Sequence, residues 1–334
     1  MQPVRLPANQ LHRFYKGGAR ISELRGSGNT DPYAPEEWIA SMASPFGEPG
    51  VGVSALPDGT SLADAVRADP EAYLGPDHVK RFGADVAVLI KLLDAGERLP
   101  VHLHPDDAFA REHLDSQYGK TEAWIILHAE PGASVHVGFR EPVERATVDD
   151  WVKRQDADAM LAALNPLPVS VGATLFVPAG TPHAIGEGIL LAELQQPTDF
   201  SVLLEWEGFA IDGPRVGHLG LGFDVALESL NRSPWSDADL KNATTTRRDG
   251  TAGVETLFPA EADAFFRAQR ITSVSAPLEA AFSVLLSVNG SGRLTGDDWT
   301  VEFGRGDAIL VPYGAGDTVV ETSGQVLRCM PPAP

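Results

Sequence analysis

Residues 169–185, VSVGATLFVPAGTPHAI, decide the fold, because the same pattern returns at 299–319 as WTVEFGRGDAILVPYGAGDTV. Each copy reads as a strand, a turn of glycine and small residues, an apolar strand, Val-Pro, and a second glycine-containing turn. His183 follows that turn in the first copy, whereas Gly316 and Asp317 stand there in the second. A pattern that recurs within one chain points to a duplicated structural unit. Around both copies, short runs rich in β-branched and aromatic residues recur at roughly 8–12-residue spacing with turn signals between them, the rhythm of an antiparallel sandwich or barrel. We therefore expect a mainly β protein of two tandem jelly-roll barrels with a few helices. Only the first barrel keeps metal ligands.

Working outward, strands are expected around Trp38 and Ile39 and at 85–94, 121–128, 134–139, 167–171, 189–194 and 200–206. Helices are expected at 61–74, with Ser61 as cap and Pro70 interrupting, and at 106–113, 149–164 and 223–230. Gly17 and Gly18 mark a tight turn, 232–248 reads as a polar loop, and a second β-rich block runs from Glu255 onward. The division expected is an N-terminal unit, 1–230, with the metal site, and a C-terminal unit, 231–334, without ligands.

The chemistry concentrates in LPVHLHPDD at 99–107. His102 and His104 are two residues apart, and on an extended strand such positions face the same way. Pro105 ends that strand at the point where a barrel opens, Glu122 follows after a loop, and His183 lies beyond the repeated turn. Three imidazoles and a carboxylate make a borderline nitrogen and oxygen ligand set suited to zinc, iron, manganese or nickel. His12, His78, His113, His128, His136 and His218 lack comparable partners and receive no role.

Composition narrows the partners. The chain has 334 residues and a formal net charge of −20, which argues against nucleic acid and anionic membrane surfaces. The same charge handicaps an anionic substrate unless positive groups gather at the site. Cys329 is the single cysteine, so an intrachain disulfide and a thiolate metal cluster are both excluded. No apolar run of ~18 residues occurs, and the N-terminal residues form no signal-peptide core; a cytoplasmic protein, monomeric or homodimeric, is expected.

Taken in order, VLIKLLDAGERLPVHLHPDD, YGKTEAWIIL and VPAGTPHAIGEGILLAELQQPTD resemble the type I mannose-6-phosphate isomerases, zinc enzymes of the cupin superfamily. The likeness runs from about Phe14 into the C-terminal block and is nearest the short bacterial form without a large helical insert. It implies two cupin barrels and a metal-dependent aldose–ketose isomerase that takes mannose 6-phosphate to fructose 6-phosphate through an enediolate. Residue by residue, His104 matches the family's metal histidine before proline, Glu122 the glutamate of KTE, and His183 the histidine of PxGTxHA. His102 takes the position of a glutamine or lysine in the family and is itself a competent ligand. Lys91 and Glu193 match active-site residues and are the candidates for catalysis, and Lys120, Glu36 and Lys16 are the candidates for substrate binding. Two positions depart from the pattern: Lys16 precedes the Gly17-Gly18 turn where the family has tryptophan, and Leu203 stands where it has an arginine. Lys16, Lys91, Arg98, Arg111 and Arg140 are the basic residues near the motifs that could replace that arginine. The Leu203 departure also admits a cupin isomerase of a free sugar or other carbonyl compound, and a non-catalytic sugar-binding cupin.

Overall fold

Four antiparallel sheets carry the chain, stacked in two facing pairs. The structure is a computed structural model that describes residues 1–247, 253–272 and 275–334; Arg248, the end of the polar run read above, lies outside the described residues, as does Ser273 in the second β-rich block. The first pair sets a six-stranded sheet against a five-stranded one. The six-stranded order is Gln10–Leu11, Glu36–Ile39, Leu89–Ala95, Ile189–Gln195, Glu122–Ala129, Thr174–Val177. Opposite it lie Val202–Leu203, His102–Leu103, His183–Ile185, Ser134–Phe139 and Leu164–Pro168.

The second pair repeats this plan. Its large sheet runs Val254–Leu257, Arg267–Ile271, Gln325–Met330, Ser283–Asn289, Ala308–Val311, and it faces Ala276–Leu278, Thr318–Thr322, Ser291–Thr295 and Thr300–Gly304. Five strands of the first large sheet, all but Gln10–Leu11, correspond to these five of the second in both spatial and chain order, so the echo in the sequence is a duplicated jelly-roll architecture. One strand breaks the division between blocks: Val4–Arg5 joins the far sheet, with Val4 opposite Leu310.

Three apolar layers hold the stack. Leu93, Trp124, Ile126, Val137, Ile185 and Leu191 fill the first pair, and Ile271, Leu285, Leu294, Ile309, Val320 and Val326 fill the second. Between the two large sheets, Ile90, Phe176 and Ala192 meet Phe266, Ala268, Val284 and Leu327. Strands that bury both faces read as continuous apolar runs, which is why Leu89–Ala95 and Ile189–Gln195 are buried throughout. Lys91 and Glu193 alternate with the residues of that middle layer and face the interior of the first barrel, whereas Asp94 lies on the other face.

Local signals in the sequence account for most helix boundaries. The Ser61 hydroxyl accepts from the Asp64 amide, and the helix from there ends before Pro70 restarts a short one. The Asp106 carboxylate accepts from the Phe109 amide and starts the helix after the histidine strand. Where a single helix was expected at 149–164, two occur, Arg145–Arg154 and Ala157–Ala163, because Gln155 adopts a left-handed φ of 51° between them. The polar run at 232–248 is not all loop; Asp237–Ala243 is a helix held by a reciprocal cap between Ser236 and Asp239. The strand expected at 200–206 shortens to Val202–Leu203, and the one at 167–171 shifts to Leu164–Pro168.

The Gly17-Gly18 turn seats the N-terminal segment on the first barrel. Gly17 has φ +150° and Gly18 φ +102°, and a Cβ on them would lie 1.8 Å from the Asp94 carbonyl oxygen and 2.1 Å from that of Ala34. The Gly18 and Arg20 amides each donate to Asp94 Oδ2 at 2.9 Å.

Candidate metal centre and active-site cavity

The three histidines meet because the strands that carry them are hydrogen-bonded neighbours. His183 lies directly across from His102, and the rings of His102 and His183 are 4.2 Å apart, with His104 5.0 Å from each. All three are buried. Their ligand atoms lie within 4.8 Å of one another.

The backbone sets their tautomers. Each Nδ1 faces a carbonyl oxygen: His102 that of Pro100 at 2.8 Å, His104 that of Phe200 at 2.7 Å, His183 that of Thr181 at 2.8 Å. Only a protonated Nδ1 can donate there, so the lone pairs sit on the three Nε2 atoms that point at one another. Burial, followed by the neighbouring charges, holds His102 well below the ordinary imidazole range and brings His104 down to about 4. Neutral imidazoles with free Nε2 lone pairs are what a metal requires.

Glu122 completes the cluster from the facing sheet. Its Oε1 lies 3.3 Å from His183 Nε2 and its Oε2 3.1 Å from His104 Nε2. Lys120 places its ammonium 2.9 Å from His104 Nε2 and 3.0 Å from Glu122 Oε2. His183 Nε2 and Glu122 Oε2 are nonetheless buried without a partner in hydrogen-bond geometry. The donors are thus arranged around a point that accepts positive charge, and a borderline divalent cation fits them.

The inner face of the six-stranded sheet supplies the rest. Cross-strand register aligns Trp38, Lys91, Glu193 and Trp124 in one row, with Glu36 two residues from Trp38 on the same face. Lys91 Nζ lies 3.1 Å from Asp199 Oδ1, 3.3 Å from Glu36 Oε2 and 3.9 Å from Glu193 Oε1, and 4.8 Å from the Trp38 ring centre. Burial opposes its charge, but Glu36 and Asp199 more than compensate and hold it above its ordinary range. Glu193 behaves oppositely: burial, then the Glu122 charge, raises it to about 7, and its Oε1 is buried with no hydrogen bond. Of the buried carboxyl groups lining the cavity, Glu193 alone is held near neutrality.

These groups border a cavity of about 800 Å³, lined also by Phe14, Phe46, Leu203 and Leu219. Two members were not nominated from sequence. Arg13 is salt-bridged to Asp199 at 2.7 Å and Glu36 at 3.2 Å; Asp199 closes the QQPTD run, whereas Arg13 sits in HRFYK with no signal beyond its charge. Lys16 is not brought in: its side chain is 54% exposed and pairs with Glu97 at 3.1 Å. Arg98 forks onto Glu205 at 2.7 and 2.5 Å, and Arg111 and Arg140 are exposed outside the cavity lining. Each lysine and arginine of the lining, Arg13, Lys91 and Lys120, already faces carboxylates.

No family model matches the chain. Among curated proteins it is 32% identical over 197 residues to the mannose-6-phosphate isomerase of Streptococcus mutans, an alignment covering 57% of each chain. It is 28% identical over 238 residues to the mannose-6-phosphate isomerase ManA of Bacillus subtilis, covering 70% of this chain and 71% of the relative. The first of these alignments thus spans little more than half of the relative's length. Its fold matches the crystal structure of the mannose 6-phosphate isomerase from Bacillus subtilis with a TM-score of 0.78 at 21% identity, covering 98% of this chain and 99% of the other. A mannose 6-phosphate isomerase structure bound with zinc and yttrium matches over the whole of both chains, with a TM-score of 0.76 at 16% identity.

Proposed function

We propose that this chain, a divergent relative of the mannose-6-phosphate isomerases, is a metal-dependent aldose–ketose isomerase whose metal is zinc. The observation that carries the reading is the convergence of three imidazole Nε2 atoms beside a carboxyl held near neutrality. His102, His104, His183 and Glu122 would hold the metal. When bound, a divalent cation supplies positive charge that offsets the negative charge an open-chain sugar develops as it enolises, an effect of several kcal/mol. The chain's own groups do the rest. Glu193 takes the proton from one of C1 and C2 and returns it to the other, a contribution of about 10²–10⁴. Lys91 fixes Glu36 and Asp199 and keeps a positive charge 3.9 Å from Glu193. Glu36 and Lys120 line the same space and are the candidates for hydroxyl contacts. The metal unit is residues 1–230, with 231–334 as a second cupin, and the enzyme acts in the cytoplasm as a monomer or homodimer.

The test is elemental analysis followed by mannose 6-phosphate and fructose 6-phosphate interconversion by zinc-loaded protein, with and without chelator. Metal-dependent turnover is expected; a loaded, folded protein inert toward every aldose offered, phosphorylated or free, rejects the reading.

A second reading, an isomerase of unphosphorylated sugars, is favoured by the charge pairing of the cavity. Leu203 provides no cation, and Arg13, Lys91 and Lys120 are all engaged. A phosphate dianion would have to compete with buried carboxylates for them. Under this reading mannose outcompetes mannose 6-phosphate in kcat/KM, and Leu203→Arg reverses the order.

A further inference from the structure

The second barrel lacks the histidines, yet it does not close over. At the same end of the barrel as the metal cluster in the first, a cavity of about 640 Å³ opens among Arg267, Gln269, Phe282, Tyr313 and Arg328. The correspondence is one of register. In the first barrel Lys91 lies across from Glu193 on the two central strands; in the second, the equivalent strands set Gln269 across from Arg328 and Arg267 across from Met330. Side chains at 267, 269 and 271 share a face, and Ile271 is part of the inner core, as are Val326 and Leu285. Arg267 and Arg328 therefore point into the barrel, not into the layer between the large sheets.

What sets these two apart is that no carboxylate sits at salt-bridge distance; Asp263 acts on Arg267 and Glu279 on Arg328 only from farther away. Among the described residues, every arginine that is not exposed has a carboxylate within 4.0 Å except Arg267 and Arg328. Arg328 is only 5% exposed. Its guanidinium donates to the Glu279 carbonyl at 2.7 Å and the Ser283 hydroxyl at 3.4 Å, and Arg267 donates only Nε, to the Pro331 carbonyl at 3.0 Å. Three carboxylates belong to the lining. Asp263 is held by Arg247 at 2.6 Å, and Asp77 and Glu279 are exposed. Burial, then the Arg267 charge, brings Arg328 down to about 10, still fully protonated at neutral pH. His78, on the cavity wall, is held below its ordinary range by burial and by the Arg267 and Arg81 charges, which favours its neutral form. Gln269 adds an amide whose oxygen is buried and unpartnered; turned over, it presents an N–H to the same space.

A buried and a half-buried guanidinium facing a polar cavity, in a chain of net charge −20, are costly to keep unless something pairs with them. We propose that the second barrel is a binding site for a small oxyanion, a phosphate or carboxylate group gripped by Arg267 and Arg328. Planar guanidinium forks match both groups, and water exclusion strengthens the pairing. The first barrel is thus a metal cup, and its duplicate an anion cup at the same place in the fold.

The test uses full-length, metal-loaded protein titrated calorimetrically with inorganic phosphate and, separately, with malonate, at constant ionic strength against chloride. Saturable binding of one equivalent is expected for at least one probe, and the probe that binds tells phosphate from carboxylate. Arg267→Gln weakens it at least about tenfold, while Arg328→Lys, which keeps the charge but loses the fork, weakens it less. Arg267 is only partly buried, so its variant carries the test should substitutions at Arg328 prevent folding. No saturable heat with either probe up to ~10 mM, or unchanged affinity in Arg267→Gln, overturns the proposal.

Discussion

Glu193→Gln separates the chemistry of the first barrel from its stability, because one carboxyl is charged against both. Burial and Glu122 hold that carboxyl at about 7 instead of the ordinary 4.5. A carboxyl raised on folding binds its proton more tightly in the folded state. Its contribution to stability is fully present below about pH 4.5 and is lost as pH rises through about 7. Once the folded carboxyl is ionised, the loss approaches about 3 kcal/mol, and roughly 2–3 kcal/mol of it falls between pH 5 and pH 8. Glutamine keeps the shape and has nothing to ionise. Urea denaturation of metal-free wild type and variant at both pH values should show the variant gaining roughly 2–3 kcal/mol relative to wild type on going from pH 5 to pH 8. Loading a divalent cation should narrow that gap, since nearby positive charge favours the carboxylate. In the isomerase assay the same variant should lose about 10²–10⁴ in kcat. A stability difference independent of pH would refute the raised carboxyl, and activity within about tenfold of wild type would remove Glu193 from proton transfer.

Other perturbations follow from the same geometry. His183→Ala removes one of three converging nitrogens and should leave the purified protein with less than stoichiometric metal by elemental analysis. Chelation should lower Tm, by the equivalent of about 4 kcal/mol where free metal had stood near a thousand times Kd. Asp199→Ala strips the shared carboxylate from the buried Lys91 and the half-buried Arg13 and should cost about 3–5 kcal/mol in chemical denaturation. Gly18→Ala forces a Cβ to within 2.1 Å of a carbonyl oxygen at φ +102°; it should destabilise by more than about 1 kcal/mol, visible as a drop in Tm.

What could be read from the sequence was whatever is written locally. Period-two alternation placed the histidine pair on one face, the family resemblance marked Lys91, Glu193 and Glu122, and the repeated Val-Pro turn exposed the duplication. The cap at Ser61 announced its helix. The break at Gln155 carries no such mark, since glutamine is an ordinary helix residue and only the backbone adopts the left-handed turn. The cap of Asp237–Ala243 was written in the sequence, in the Ser236 to Asp239 spacing, but polar surroundings disguised it. The remaining cavity residues were hidden for a different reason. Arg13 meets Asp199 across 186 residues of chain, and nothing at either position encodes the other. The absence of a close counter-charge at Arg267 and Arg328 is likewise a property of three-dimensional neighbours.

The apolar layer between the two large sheets, with Val4–Arg5 laced into the far one, bears on how the protein is made. Synthesis delivers the first barrel with Ile90, Phe176 and Ala192 facing outward, and their partners Phe266, Val284 and Leu327 emerge only much later. Val4–Arg5 must wait for Ala308–Val311, about three hundred residues later in the chain. Until then the nascent chain presents a sticky sheet face, which calls for a chaperone's cover or fast elongation. Closing so distant a pairing is slow. A ribosome stall after the first barrel should therefore yield aggregates instead of a folded half, even though the whole histidine cluster has already been translated.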